Sequence, residues 1–408
     1  MNQTQLIPHL FRTEFRKIVS VLCKSFGMEH LETAEDLASE TFLSAMETWA
    51  YNGVPENPTA WLYTVAKNKA KNYLNRNQLF NKKIAPDLKR ANSTESTVDI
   101  DLSEENISDS QLQMLFAICH PSIPTEAQIG LSLRILCGFG IEEIATAFLT
   151  NKEAINKRLF RAKEKLRQIN ALIAFPGKDE VNERLETVLT TLYLLFSEGY
   201  YSESQDTVIR EDLCNEAMRL TYSLLENKQT NQPSVRALYS LMCFHASRFK
   251  ARVNDKQETI LYQQQDETLW DKKLIAEGVH YLKEASEGNN LSKYHLEAAI
   301  AYWHTIKADT NEKWDSILQL YNQLLMIDYS PIAALNRTYA LSKIHGVQVA
   351  IHEAEKLKLD TNPYYFTLLG ELYKQIDKKK AKRHFETALS VAKSPADKQI
   401  ITKNISTL

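Results

Sequence analysis

Apolar residues recur along most of this chain at the three-to-four-residue spacing of amphipathic helices. Leu10, Phe15, Ile18, Val19, Leu22 and Phe26 make one stripe, and Gly27 is placed to end it. A second stripe starts at Thr33-Ala-Glu-Asp36, an N-cap with an acid three residues on, and runs through Leu37, Phe42, Leu43 and Met46 to Trp49. Turn-forming residues crowd Tyr51–Pro58, which reads as a loop. A third helix then carries Trp61, Leu62, Val65, Ala66, Ala70, Tyr73 and Leu74 on its apolar side. Periodicity vanishes over 81–109, which is rich in Ser, Thr, Asn and acids and reads as a flexible linker. It returns at Leu112–Ile118, breaks at His120–Pro124, and resumes over Glu126–Leu136. Next come a short helix at Ile141–Phe148, a polar turn at Leu149–Asn151, and a long helix with Ile155, Leu159, Ala162 and Leu166 inward. That spacing fits a helix-turn-helix whose second helix reads DNA.

Pro176-Gly177 marks a further boundary, and the helical pattern continues from 178 to Leu408. Within it Leu335, Tyr339, Val347, Ile351 and Ala354 recur 34 residues later as Leu369, Tyr373, Ala381, Phe385 and Ala388. This is the tetratricopeptide period and predicts a solenoid of helical hairpins. The region 178–290 is helical without a clean repeat. Only 11 Gly and 11 Pro occur in 408 residues, which leaves few turns and argues against sandwiches and barrels. An all-α, multidomain protein is expected. Its five cysteines form no C-x-x-C pair, so neither a disulfide framework nor a zinc ribbon is expected, and reduced buried thiols are. The longest uncharged stretch, Thr187–Ser197, is too short to cross a bilayer, and no secretory apolar segment opens the chain; a cytoplasmic location, away from membranes, is expected.

The net charge of −2 hides a segregation into blocks. Glu29–Glu47 holds six acids and no Lys or Arg, whereas Trp61–Arg76 holds four bases and no acid. Asn92–Ser110 again holds six acids and no base, and Lys152–Gln168 holds seven bases against Glu153 and Glu164. Two basic surfaces for polyanions, one acidic surface for another partner, and an acidic linker follow. Catalytic chemistry is poorly served. Gly138-Phe-Gly140 lacks the third glycine and the strand of a nucleotide loop, no metalloprotease or nucleophile-elbow motif occurs, and the histidines are scattered. The acid pairs Glu35-Asp36 and Glu142-Glu143 open helices, where carboxylates favour the positive dipole end. No catalytic residue, metal or cofactor is therefore expected. The basic helix reads either as a solvated face or as a DNA reader. Its bases lie opposite the apolar stripe and mix with Asn, a set able to pair with guanine, adenine and phosphate. Trp61, Tyr63 and Tyr73 fit a core at helical spacing, or a platform on which unpaired bases stack.

Two basic helices, an acidic helix and a linker resemble the sigma-70 family of RNA polymerase initiation factors. Thr33-Ala-Glu-Asp-Leu-Ala-Ser-Glu-Thr-Phe42 is similar to its core-polymerase-binding segment. Ala60–Leu74 is similar to its promoter-melting helix, and Arg158-Leu-Phe-Arg-Ala-Lys-Glu-Lys-Leu166 to its −35 reader. With only these two domains the chain resembles the extracytoplasmic-function group, in a subgroup with a C-terminal tetratricopeptide-like extension. Ser197-Glu-Gly-Tyr200, Asp212–Ala217, Gln265–Trp270, Glu297–Ile300 and Ser330–Arg337 carry that part of the resemblance.

The resemblance implies region 2 over 1–80, an acidic linker over 81–109, region 4 over 110–170, and a regulatory helical domain over 178–408. It implies contact with core RNA polymerase, at its clamp helices and flap, and with promoter DNA. Glu35, Asp36 and Glu40 would meet the clamp. Asn52, Trp61, Lys67, Asn68 and Lys71 would hold the −10 strand, and Lys152, Asn156, Lys157, Arg158, Phe160 and Arg161 the −35 element. The acidic linker would occupy the polymerase channel, and 178–408 would contact the two sigma domains within the same chain. Asn156 stands where Arg is common in the family, and the Asn52–Pro55 loop has an unusual sequence. The competing readings are a DNA-binding regulator independent of polymerase and a helical scaffold binding peptides.

Overall fold

The computed structural model of the chain describes residues 3–84, 100–148, 150–200, 210–254, 260–288, 290–392 and 395–408. Among them there is no β-strand, in agreement with the all-α expectation. The chain forms two compact units, one holding residues up to Leu195 with Glu226–Thr230, the other Phe196–Leu225 and Asn231–Leu408.

The first unit is built on α1 (Gln3–Phe26), which packs against α2 (Leu31–Asn52), α3 (Pro58–Ile84) and α4 (Glu104–Ile118). Ile18, Val19, Leu22 and Cys23 of α1 are wholly buried, a stripe broad enough to serve more than one neighbour. Gly27 ends the helix at φ 98°, a conformation open to glycine, and its N–H donates to the Cys23 carbonyl at 2.8 Å. The next helix starts two residues before the expected Thr33 cap. Met28 and Leu31 are both buried, and a 3-10 turn at Met28–His30 runs straight into α2, so Thr33 lies inside the helix. Burial of the entry residues outweighs the cap signal.

The linker expected over 81–109 is structured at both ends. Residues 81–84 close α3, and Glu104–Asp109 open α4. The Ser103 hydroxyl accepts from the Asn106 N–H, Glu104 and Glu105 sit at the positive end of the helix, and Ile100 and Ile107 are buried. Those two apolar residues among the acids are the signal that composition masked. The remainder of the acidic stretch, with Glu95 and Asp99, lies outside the described residues. After α4 come α5 (Thr125–Ile135), α6 (Ile141–Ala147), α7 (Lys152–Gln168) and α8 (Lys178–Tyr200).

The boundary expected at 178 falls later. The first turns of α8 belong to the first unit: Val181, Leu185 and Val188 are buried, and Arg184 Nη1 donates to the Phe116 carbonyl at 3.1 Å. Pro176-Gly177 lies within that unit, just before α8.

The second unit continues with α9 (Glu211–Glu226), α10 (Pro233–Ala246), α11 (Phe249–Arg252), α12 (Lys272–Ala285) and α13 (Lys293–Trp303). Its centre is α10, buried nearly all round, against which α12 and α13 pack. Gly278 of α12 lets that helix approach closely, since a Cβ there would lie 2.7 Å from the Phe244 ring, and its carbonyl accepts from Ser240 Oγ at 2.7 Å. Then follow α14 (Asn311–Ile327), α15 (Pro331–His345), α16 (Val347–Lys356), α17 (Pro363–Tyr373), α18 (Lys378–Val391) and α19 (Pro395–Ser406). The repeated positions Leu335, Ile351, Ala354, Leu369, Tyr373, Ala381, Phe385 and Ala388 share one core across α15–α18, so the 34-residue periodicity reports on packing.

The tightest point in that core is Gly370, where a Cβ would come within 2.7 Å of the fully buried Phe385 ring. Overpacking of this kind costs about 1–3 kcal/mol. Gly370→Ala is expected to move the urea transition of the helical signal to lower denaturant; an unchanged midpoint would show that Phe385 yields freely.

Candidate nucleic-acid and protein interface

The long basic helix α7 is held by a cap and a core. Asn151 Oδ1 accepts from the Ala154 N–H at 2.8 Å, and Ile155, Leu159, Ala162 and Leu166 are buried. At the entrance to α6, Glu143 Oε2 accepts from the Gly140 N–H at 2.6 Å, a local role for one of the acid pairs. Because the apolar stripe is fixed inward, Asn156, Lys157, Phe160 and Arg161 share the opposite, exposed face. Phe160 is 66% exposed, unusual for a phenyl ring. Neither Lys157 nor Arg161 has an ion-pair partner among the described residues. The other two expected contacts differ: Lys152 pairs with Glu142, and half-buried Arg158 pairs with Glu126 at 2.8 Å while lying over the Phe148 ring. Leu149 in the turn lies outside the described residues.

Charge on α2 divides in the same way. Glu35 is half-buried and pairs with Arg16 of α1 at 2.9 Å; burial lowers the proton affinity of that guanidinium, and Glu35 opposes the effect. Glu40 pairs with Lys69 of α3 at 3.2 Å, so one block of acid neutralises part of a basic block. Asp36 is exposed. Together with Glu40, Leu43 and Met46, the last two more than half exposed, it forms a stripe of mixed acidic and apolar character.

On α3, Asn68 and Lys71 are exposed, and Asn52 is exposed at the end of α2, which Gly53 terminates at φ 79°. Lys67 is half-buried. The aromatics of α3 follow the core reading. Trp61 meets Trp49 edge-on at 5.3 Å, Tyr73 meets Phe26 at 5.4 Å, and the Tyr63 hydroxyl donates to Glu14. Trp61, expected on the −10 strand, thus has one face in the core.

The two helical modules of this unit also touch. Arg167 of α7 pairs with Glu32 of α2 at 3.1 Å, Lys24 Nζ donates to Asn106 Oδ1 at 2.9 Å, and Met28, Leu31, Leu131, Ile135 and Leu166 line a small apolar cleft between them. Half-exposed ion pairs of this kind contribute about 0–1 kcal/mol each. The closure is therefore weak in its polar part. No local pattern in the sequence marks Arg16, Glu32 or Arg167 for these partners, because each pairing joins two different helices.

No group of His, Cys, Asp and Glu suited to a metal ion occurs among the described residues, and no described helix is long and apolar enough to cross a membrane. Removing the α7 cap tests whether the helix start is held as described: Asn151→Ala is expected to lose about 0.5–2 kcal/mol of stability, read from urea unfolding, while leaving the exposed face chemically intact. An unaltered midpoint would show that the cap is dispensable.

Residues 10–80 match sigma-70 region 2, and residues 184–286 match DUF6596, a family of unknown function. For the latter stretch the description is thus DUF6596 rather than tetratricopeptide. An uncharacterized protein of Rhizobium meliloti is 31% identical over 375 residues, covering 90% of this chain and 88% of that protein. The ECF RNA polymerase sigma-E factor of Haemophilus influenzae is 28% identical over 133 residues, 32% of this chain and 70% of that protein. The matched region 2 covers most of α1, all of α2 and most of α3, the helices that carry the acidic stripe and the exposed Asn68 and Lys71. The chain belongs to one family with the R. meliloti protein and is, through this region 2 domain, a sigma-70 family factor.

Proposed function

We propose that the chain is an extracytoplasmic-function type sigma factor that directs core RNA polymerase to specific promoters, with its second unit as an in-chain regulator. The observation that carries the reading is the α2 stripe of Asp36, Glu40, Leu43 and Met46, where exposed acids are followed along one face by exposed apolar side chains. A solvated face has no use for the apolar members, whereas a partner with basic and apolar ground uses both. A promoter-binding regulator independent of polymerase leaves this stripe unexplained.

In this reading the stripe meets the polymerase clamp. The loop after Asn52, with Asn68 and Lys71, holds the separated −10 strand. Asn156, Lys157, Phe160 and Arg161 enter the major groove at the −35 element, α7 acting as the reading helix of a helix-turn-helix. Trp61 acts mainly by fixing α3 on α2. Lys152 and Arg158 must exchange Glu142 and Glu126 for phosphate if they contact DNA. The Glu32–Arg167 contact and its apolar cleft hold the two readers together in the free protein; spreading them over separate promoter elements requires opening that contact. The protein positions other molecules and performs no bond chemistry itself. The helical hairpins of α15–α18 supply a tetratricopeptide-like surface for control, and α8, which starts in the first unit and ends in the second, offers a covalent route between them.

In-vitro transcription with core polymerase on genomic fragments is expected to give discrete starts that depend on this protein. Arg161→Ala and Lys157→Ala should each weaken promoter binding by the holoenzyme by about 1–3 kcal/mol if they touch bases. A uniform loss across sequences assigns them to phosphates, and no loss removes α7 as the reader. Asp36→Lys is expected to abolish co-purification with core polymerase while leaving circular dichroism unchanged. Asp36 is preferable to Glu35 for this purpose, because reversing Glu35 also breaks its bond to Arg16. Undiminished co-purification would overturn the assignment of α2.

A further inference from the structure

The second unit contains two buried cations that have no carboxylate partner among the described residues. Lys313, at the start of α14, is 1% exposed, and Arg248, just before α11, is 8% exposed. Lys313 Nζ donates to the Tyr262 hydroxyl at 3.0 Å and to the Ile306 carbonyl at 2.5 Å. Arg248 Nη2 donates to the Tyr200 hydroxyl at 3.2 Å, and its Nε makes no hydrogen bond. One ring joins the two: the Tyr262 centroid lies 5.6 Å from the Arg248 guanidinium and 5.1 Å from Lys313 Nζ. Neither cation has a carboxylate within 4.0 Å among the described residues. The nearby Asp309 is engaged elsewhere, accepting from Trp314 Nε1 and pairing with Lys343 at 3.2 Å.

The surrounding groups add to the imbalance. His304 packs edge-on against Tyr262 at 5.3 Å, and burial beside Arg248 and Lys313 lowers its pKa to about 3, so it is neutral at physiological pH. His245 packs against Tyr200 with the rings tilted and 4.6 Å apart and is likewise held neutral by burial, with Nδ1 lacking a hydrogen bond. The Trp270 indole N–H, beside Tyr262, is also without an acceptor. Donors and positive charge therefore accumulate in one aromatic-walled place. An unpaired buried cation is costly, and two adjacent ones repel as well. A guanidinium beside an ammonium, with uncommitted N–H groups around them, is the arrangement that recognises an oxyanion.

We propose that the second unit binds a small oxyanion, a phosphate or a carboxylate, at the cluster formed by Arg248, Lys313, Tyr200, Tyr262 and Trp270. The anion supplies the negative charge that both cations lack and accepts from Arg248 Nε. This site belongs to the second unit, whereas α7 belongs to the first, and it does not depend on the promoter reading. If the second unit does regulate transcription, occupancy by such an anion is the signal it detects.

The test uses the full chain in a zwitterionic buffer low in chloride, at constant ionic strength, with inorganic phosphate and succinate titrated separately. Melting temperature and tryptophan fluorescence are recorded, since Trp270 and Trp314 lie at the cluster. At least one anion is expected to raise the melting temperature saturably and to change the fluorescence; a response to phosphate alone identifies a phosphate site, and to succinate alone a carboxylate site. Lys313→Met should weaken that response at least tenfold. Without added anion this variant should be no less stable than the parent, because an unbalanced charge is removed and the Tyr262 hydroxyl still donates to the Ile306 carbonyl at 3.2 Å. Arg248→Gln should weaken binding similarly, and Arg161→Ala on α7 should leave it unchanged. The proposal is overturned if neither anion gives a saturable response, if the response survives Lys313→Met, or if Lys313→Met destabilises the protein equally with and without anion.

Discussion

The burial of α1 is the constraint on which the first unit depends. Ile18, Val19, Leu22 and Cys23 have no solvent exposure, and burial pushes the Cys23 thiol far above its usual pKa. A helix packed on one side only would need a single apolar stripe. This one serves α2 and α3, which complete region 2, and α4, which begins the next module. The two modules are thereby brought into one compact unit without a large polar interface. Lys24–Asn106 and Glu32–Arg167 lie at the edge of that apolar contact, where such pairs fix direction more than they stabilise.

With the modules so placed, charge blocks that looked like separate surfaces partly cancel. Glu35 meets Arg16, Glu40 meets Lys69, Glu142 meets Lys152 and Glu126 meets Arg158. What remains uncommitted is smaller and more informative: Asp36 with its apolar neighbours on α2, Asn68 and Lys71 on α3, and four side chains on α7. An interface is better identified by this residue than by the blocks, because a charge already paired must give up its partner before it can bind another.

In the second unit the same accounting gives the opposite outcome. There surface charges find opposite charges, as in Lys293–Asp328 and Arg219–Glu216, while Arg248 and Lys313 inside have no carboxylate partner among the described residues. Buried Gly278 and Gly370 show how closely its helices approach, so the imbalance is not a product of loose packing. A protein that retains unbalanced interior cations within tight helical packing has a reason that stability alone does not supply.

How much of this was legible beforehand follows from the range of each interaction. The all-α character and the inward faces of α1 and α7 depend on neighbours three and four residues apart, so the apolar spacing sufficed; the 34-residue period likewise located the core of α15–α18. The sigma-70 region 2 segment is contiguous and could be recognised as such. Local signals failed where burial overrode them. Met28 and Leu31 drew the start of α2 ahead of Thr33, Ile100 and Ile107 ordered the end of an acidic stretch, and Val181, Leu185 and Val188 bound the start of α8 to the first unit. The acids and bases that neutralise each other, and the meeting of Arg248, Tyr262, His304 and Lys313, were beyond reach of the sequence. Their members lie on different elements, beyond the three- and four-residue spacing that sequence periodicity reports, and side-chain charges interact through space, so only the packing of the helices decided which would meet.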